Sequence, residues 1–262
     1  MKKEKRQAIA EGFLSIIIFL GIWKLASATG IFGRVSIRSS SLLLPPPEKV
    51  LASVIEMFVS GYLEKHIWVS LLRVVKGFLL AVVIGVPVGI LMGISRHAKN
   101  FLNILFRIFS PIPGVAWIPL AILWFGLGDR AAIFIITMGS ISPIIVNTMQ
   151  GVDDVDPNLE KALLTMGASG WQIVWKCIVP GIVPYLISGF RLGLGFAWRV
   201  LIAAEMAGVP AGLGYVLNTG RSTGKTEVTV VTILLLGIIM ILMEEVLFMP
   251  VEKRVCHWRK NG

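Results

Sequence analysis

The chain has 262 residues, of which 55% are hydrophobic and 15% charged, with a mean hydropathy of +0.81. A water-soluble domain of this length needs far more polar surface, so the solvent for much of the chain is lipid. The net charge of +10 does not indicate nucleic acid, because the basic residues sit between apolar blocks and form no stripe, as membrane orientation requires.

Six windows reach the roughly 20 mostly apolar residues that a membrane-spanning helix needs. They are Ile9–Ala28, Val74–Ile94, Ile108–Leu127, Ala131–Gly151, Gly181–Gly208 and Val228–Phe248. The first follows Lys2, Lys3, Lys5 and Arg6, and Ala26-Ser27-Ala28 resembles a signal-peptidase site. Lys24 interrupts the run before that site, which favours an uncleaved first helix over a leader. In the second window Lys76 is placed to snorkel at an interface. Gly85, Gly89 and Gly93 there, with Gly189 and Gly193 in the fifth, form small-xxx-small faces on which helices approach closely in lipid.

The third window holds Pro111, Pro113, Gly114 and Pro119, and the fourth holds Ser140, Ser142, Pro143 and Asn147. Such residues predict broken or strained helices. They line a central pathway or else form kinks packed on neighbours. With the N-terminus inside, about thirteen basic residues fall in cytoplasmic pieces, Arg96, Lys99, Arg107, Lys161, Lys176 and the tail among them. About eight, including Arg34, Arg38, Lys65, Arg73 and Arg130, fall outside, so both termini are expected in the cytoplasm.

Between the fourth and fifth windows, residues 152–180 form the one long polar interval on the inner side. Asp156 is an expected N-cap with Pro157 first in the helix and Gly167 ending it. Ser169 and Gln172 form a capping-box pattern for a second short helix, which Pro180 is expected to close. Leu159, Leu163 and Met166 recur at i, i+4 and i+7 as anchors for a partner's groove; packing on the chain's own helices is the alternative.

This interval resembles the EAA loop of binding-protein-dependent ABC importer permeases: EAA, three residues, Gly, nine residues, then I-x-L-P. Ala162, Gly167 and Pro180 match it in spacing; Lys161 stands at the Glu position with Glu160 one place early, and Leu163, Cys177 and Val179 replace Ala, Ile and Leu. Further stretches are similar to the nitrate/sulfonate/taurine-type branch. They include Leu44-Pro45-Pro46-Pro47, Ser70-Leu71-Leu72-Arg73, residues 111–120, 123–128, 191–193, 203–205 and 212–215.

The resemblance implies an all-α type I importer transmembrane domain with about six spans, in a bacterial inner membrane. Residues 1–61 are then a first helix and extracytoplasmic connector, 62–249 the permease core and 250–262 a basic cytoplasmic tail. It further implies a homodimer, two ATPase subunits that carry the ATP and Mg, and an extracytoplasmic solute-binding protein. No cofactor is expected on this chain. The solute expected is a small anion of nitrate, sulfonate or taurine type. A thiamine-precursor pyrimidine is the alternative within the class, and a secondary transporter the rival outside it.

Other constellations carry less. Residues 220–226, GRSTGKT, miss the phosphate-binding loop spacing by one residue and follow no strand, so catalysis by this chain is not expected. Cys177 and Cys256 match no metal or redox spacing, and His66, His97 and His257 are scattered. In the fifth window Arg191, Trp198 and Glu205 recur every seven residues on one face, with Arg199 nearby. Either that face lines the pathway and the arginines favour an anion, or Arg191 and Glu205 snorkel at opposite interfaces. Ser142 and Asn147 are further pathway candidates, and Glu244 and Glu245 end the last window.

Overall fold

The computed structural model describes residues 2–29 and 44–250, with side chains from residue 10 onward. The expected cations of the N-terminus, Arg34, Arg38, Cys256, His257 and the basic tail lie outside the described side chains. The described chain is helical: α1 (Lys2–Thr29), α2 (Pro47–Val59), α3 (Tyr62–Ile94), α4 (Arg96–Phe109), a 3-10 turn (Gly114–Trp117), α5 (Ile118–Phe125) and α6 (Asp129–Asp153). Then come α7 (Pro157–Thr165), α8 (Gly170–Ile173), a π-turn (Val174–Ile178), α9 (Val179–Met206), α10 (Leu213–Thr223), α11 (Thr226–Met243) and a final π-turn (Glu244–Phe248).

Five helical stretches are long and apolar enough to cross a membrane, and a bent pair supplies a sixth. That pair is the third expected window, and it is not one helix. Residues 96–109 and 114–125 meet at 83°, because Pro111 and Pro113 remove two backbone donors in succession. The helix also starts at Arg96, twelve residues before the expected boundary. The fourth window, by contrast, stays one helix through Pro143. There Asn147 Nδ2 donates to the Pro143 carbonyl at 2.8 Å and Ser140 Oγ to Ile136 O at 2.7 Å, folding polar side chains back onto the backbone.

Helix α6 is the middle of the bundle, clasped by α3 and α9. A Cβ on Gly77 would lie 2.7 Å from Ile136, one on Gly85 3.0 Å from Ile144 and one on Gly89 2.6 Å from Thr148, and one on Gly93 would strike Val152. These contacts rise together along both chains, so α3 and α6 run parallel. On the other flank Gly189 meets Asn147 and Gly193 meets Ile144, so α9 runs antiparallel. Between lipid-bathed helices the attraction is close packing, and any side chain at Gly89 would force the backbones apart.

Two boundaries differ from expectation in an informative way. The second span begins at Tyr62, so Lys65 and Arg73 are helical rather than in a loop, and Lys76 lies well inside the helix and exposed. Pro180 does not close α8. The chain runs on from Gly170 to Met206, with the π-turn set just ahead of Pro180, where the missing proline N–H already breaks the regular ladder. Helix α1 is tied to the bundle near its end: Trp23 Nε1 donates to Pro45 O at 3.1 Å, Ser27 Oγ to Leu44 O at 2.8 Å, and Lys24 pairs with Glu48.

Candidate coupling loop and translocation groove

The loop between α6 and α9 is built as its caps dictate. Asp156 Oδ1 accepts from Asn158 N at 2.8 Å, contributing about 1 kcal/mol of the kind N-caps supply. Gly167, at φ +81°, provides the left-handed turn that ends α7. Ser169 and Gln172 form the reciprocal capping box, with Ser169 N donating to Gln172 Oε1 at 2.8 Å.

Three contacts make this loop continuous with the bundle. Lys99 Nζ pairs with Asp153 at 2.7 Å, and Tyr185 OH donates to Asp154. Leu163 packs on the cluster of Val152, Ile173, Ile178 and Ile182. Leu163 is the contact that α7 itself makes; the other two join α4 and α9 to the end of α6 and the residue after it. Leu163, expected as a partner anchor, turns instead toward its own helices. Leu159 and Met166 remain exposed, Met166 at 83%, and Leu164, Trp171 and Trp175 join them. The two tryptophans, four residues apart and edge to face at 5.6 Å, were missed in the sequence; their i, i+4 spacing just after the Ser169 cap is the signal that could have found them. Ala162 and Glu160 lie exposed on α7, and Pro180 is exposed within the long helix.

The expected pathway face on α9 is divided. Trp198 is buried, its indole N–H donating to Leu236 O at 3.0 Å. Arg191 pairs with Glu244, the first residue of the π-turn that follows α11. Arg199 is exposed over the Phe196 ring at 5.7 Å. Ser142 shares a 2.6 Å hydrogen bond with Ser110, and Asn147 lies half-buried against Gly189.

Glu205 is not on an open face and does not snorkel: it is 1% exposed, at the centre of a charged knot. Arg73 Nη1 donates to Glu205 Oε1 at 2.8 Å, while Arg73 Nε and Nη2 donate to Asp129 Oδ1 at 2.8 and 2.6 Å. Ser70 Oγ donates to Glu205 at 2.8 Å. The start of α10 is held by the same groups. Gly212 N donates to His66 Nδ1 at 2.9 Å, Leu213 N to Ser70 Oγ at 2.8 Å and Gly214 N to Glu205 Oε2 at 2.8 Å. A carboxylate thus meets the free N–H groups of a helix start. Sequence reasoning missed this knot by starting the span at Val74. The signal was there in His66, Ser70, Arg73 and Gly77, which share one helical face.

Residues 220–223, part of the near-miss phosphate loop, are the last turn of α10, and Gly224 at φ +73° turns the chain into α11.

A polytopic helical bundle with an apolar, exposed, rigidly tied loop defines the class: the membrane domain of a transporter worked by another chain. Residues 85–248 match the family described as binding-protein-dependent transport system inner membrane component. A putative ABC transporter permease of Methanocaldococcus jannaschii is 37% identical, with 85% of each chain covered. The taurine transport system permease TauC of Escherichia coli is 33% identical over 84% of this chain and 81% of that one. In fold, the chain is similar to a structure titled as inward-facing conformations of the MetNI methionine ABC transporter. The TM-score is 0.65 at 24% identity, covering 74% of this chain and 95% of that one.

The chain belongs to the binding-protein-dependent transport system inner membrane component family. It is the permease component of an ABC importer, a multi-pass inner-membrane transport subunit. In this family ATP is used by a separate subunit, and the family implies ATPase and binding-protein partners.

Proposed function

We propose that two copies of this chain enclose the pathway of an importer for a small anion, of the sulfonate, taurine, nitrate or bicarbonate kind. Both termini and the α6–α9 loop face the cytoplasm, and each loop seats on one of two ATPase subunits. The observation that carries the coupling role is the loop's inverted burial: Leu159, Leu164, Met166, Trp171 and Trp175 stand in solvent on a doubly capped, bundle-anchored element. Apolar side chains held that rigidly in water suit a groove on a partner. ATP-driven closure of the two motors draws the α7 helices together. Lys99–Asp153, Tyr185–Asp154 and the Leu163 cluster pass that movement into α4, α6 and α9, rocking the bundle open toward the binding protein.

The anionic solute is supported by the names of the relatives, which include taurine, aliphatic sulfonate and bicarbonate permeases. Arg199 adds to it, as an exposed guanidinium with no carboxylate partner among the described residues. Reconstitution with the ATPase and binding protein in proteoliposomes tests both parts. ATP- and binding-protein-dependent uptake is expected of at least one labelled solute that carries a sulfonate or oxyanion group, from taurine (a zwitterion), an alkanesulfonate, nitrate and bicarbonate, taurine not counting among the neutral solutes. Uptake restricted to neutral or cationic solutes contradicts the anion assignment, and no stimulation of the ATPase by the chain contradicts the coupling role.

A further inference from the structure

Helix α4 has an arrangement that lipid alone does not tolerate. At about 100° per residue, Arg96, Lys99, Asn100, Asn103, Arg107 and Ser110 fall within about 100° of arc. Apart from His97 in the first turn, the rest of the helix is apolar. Leu102, Leu105, Phe106 and Phe109 face a groove of about 370 Å³ against α3 and α6. On the far side Phe101, Ile104 and Ile108 are exposed at 74%, 66% and 59%.

The depth of the polar stripe follows from two contacts. Lys99 meets Asp153 and Ser110 meets Ser142. The separation is eleven residues on each helix, so α4 lies antiparallel to α6 over about 16 Å. Arg107 therefore stands about 12 Å along α6 from Asp153, on a helix about 36 Å long. That is inside a hydrocarbon layer of about 30 Å. Arg107, Asn100 and Asn103 are exposed, and none has a side-chain partner among the described residues.

The stripe also has a direction. Its Ser110 edge touches Ser142, and next around α6, away from α3, come the half-buried Pro143, Val146 and Asn147. Beyond them lies the exposed line of α9 with Ser188 and Arg199. Val200 packs on Gly139, which sets Arg199 within about 8 Å of the depth of Arg107. This order of side chains implies a trough bounded by α4 and α9, with Arg107, Asn100 and Asn103 on the α4 flank, Arg199 on the α9 flank and Asn147 between them, its amide bonded to the Pro143 carbonyl.

We propose that the Asn100–Asn103–Arg107 stripe lines the water-filled pathway and that Arg107, with Arg199 across the trough, holds the anionic group of the solute. The assignment rests on the permease function above and deepens it. It names the residue of α4 that selects charge, and the ligand class it takes is a sulfonate, carboxylate or inorganic oxyanion. A planar guanidinium matches two oxygens of such a group at once, and Asn amides donate without adding charge. An ionisable group at this depth is costly unless water or a ligand solvates it.

The test needs neither solute nor motor. Asn103→Cys and Ile104→Cys are made in a full-length chain carrying Cys177→Ser and Cys256→Ser. In inside-out vesicles they are reacted with anionic and cationic methanethiosulfonates, rates being normalised to a free thiol. Asn103→Cys is expected to react at least about tenfold faster than Ile104→Cys, since one faces water and the other lipid or protein. At Asn103→Cys the anionic-to-cationic rate ratio is expected to fall about tenfold on Arg107→Gln and to hold with Arg107→Lys. Should Arg107→Gln insert poorly, about 0.5 M salt must collapse the same ratio in its parent. Equal reactivity at 103 and 104, or a ratio indifferent to both Arg107→Gln and salt, overturns the proposal. Failure of the permease function shows separately, as an ATPase subunit that does not co-purify with the same chain.

Discussion

The two ends of the bundle handle polarity in opposite ways. At the end where α3, α9 and α10 meet, polar and charged side chains are buried and bound to one another: Arg73, Glu205, Ser70 and His66 leave almost no surface. At the loop end, apolar side chains are exposed on the surface of the chain while ion pairs and caps fix the backbone beneath them. A buried charge knot is closed; its donors and acceptors are met within the chain. An exposed apolar set on a rigid support is open, and something else must cover it. The closed end positions helices, and the role proposed for the open end is to receive force.

Substitutions should separate the two ends. The largest loss of stability is expected from Arg73→Ala. It strands the buried Glu205 carboxylate without its cation, at a cost of about 3–5 kcal/mol; Glu205→Ala should cost less, because Arg73 keeps its bonds to Asp129. The Arg73→Ala variant should fail to accumulate in the membrane. Asp129→Asn should cost far less, because that side chain is 63% exposed and exposed pairs contribute little. Next is Gly89→Leu, which drives a side chain into Thr148 and the Ile145 carbonyl. Overpacking of that kind costs about 1–3 kcal/mol or more, read as a lowered melting temperature in detergent. Leu163→Ala should cost about 1 kcal/mol from half-buried area, and it should also loosen the loop.

Leu159→Asp with Met166→Asp should leave the melting temperature unchanged while uptake in the reconstituted importer falls at least about tenfold. Equal loss of stability from this pair would erase the contrast between the ends. The smallest effect is expected at the exposed Lys24–Glu48 pair. The hydrogen bond from Lys24 holds the Glu48 carboxyl below its ordinary value. Any contribution is therefore present at neutral pH and lost as pH falls through that lowered value. Glu48→Gln should leave thermal melting at pH 7 unaltered.

Much of this was legible in the chain, and the reasons are local. Spans follow from hydropathy because each helix must satisfy its own backbone in lipid. The loop helices follow from Asp156, Gly167, Ser169 and Gln172, whose capping chemistry acts within four residues. The glycine faces predicted close packing and received it on both flanks of α6. Where a feature depends on a distant partner, sequence reasoning was weaker. Arg73 looked like an outside loop cation because nothing in its neighbourhood announces Glu205, 132 residues away. Arg107 was placed in a loop because an apolar window penalises polar residues, whereas it lies within α4. Leu163 shared its helical face with Leu159 and Met166, but burial against Ile173 and Ile178 is set by the return of α9. Pro180 read as a helix end, whereas a π-turn ahead of it carries the helix through.

The claim beneath the whole mechanism is that a separate motor grips the α6–α9 loop. Met166→Cys, in the chain freed of Cys177 and Cys256 and co-expressed with its ATPase subunit, measures it most directly by thiol cross-linking in intact vesicles. An adduct with the ATPase whose yield changes between nucleotide-free and ATP-bound states is predicted. Normal insertion with no adduct in either state contradicts it.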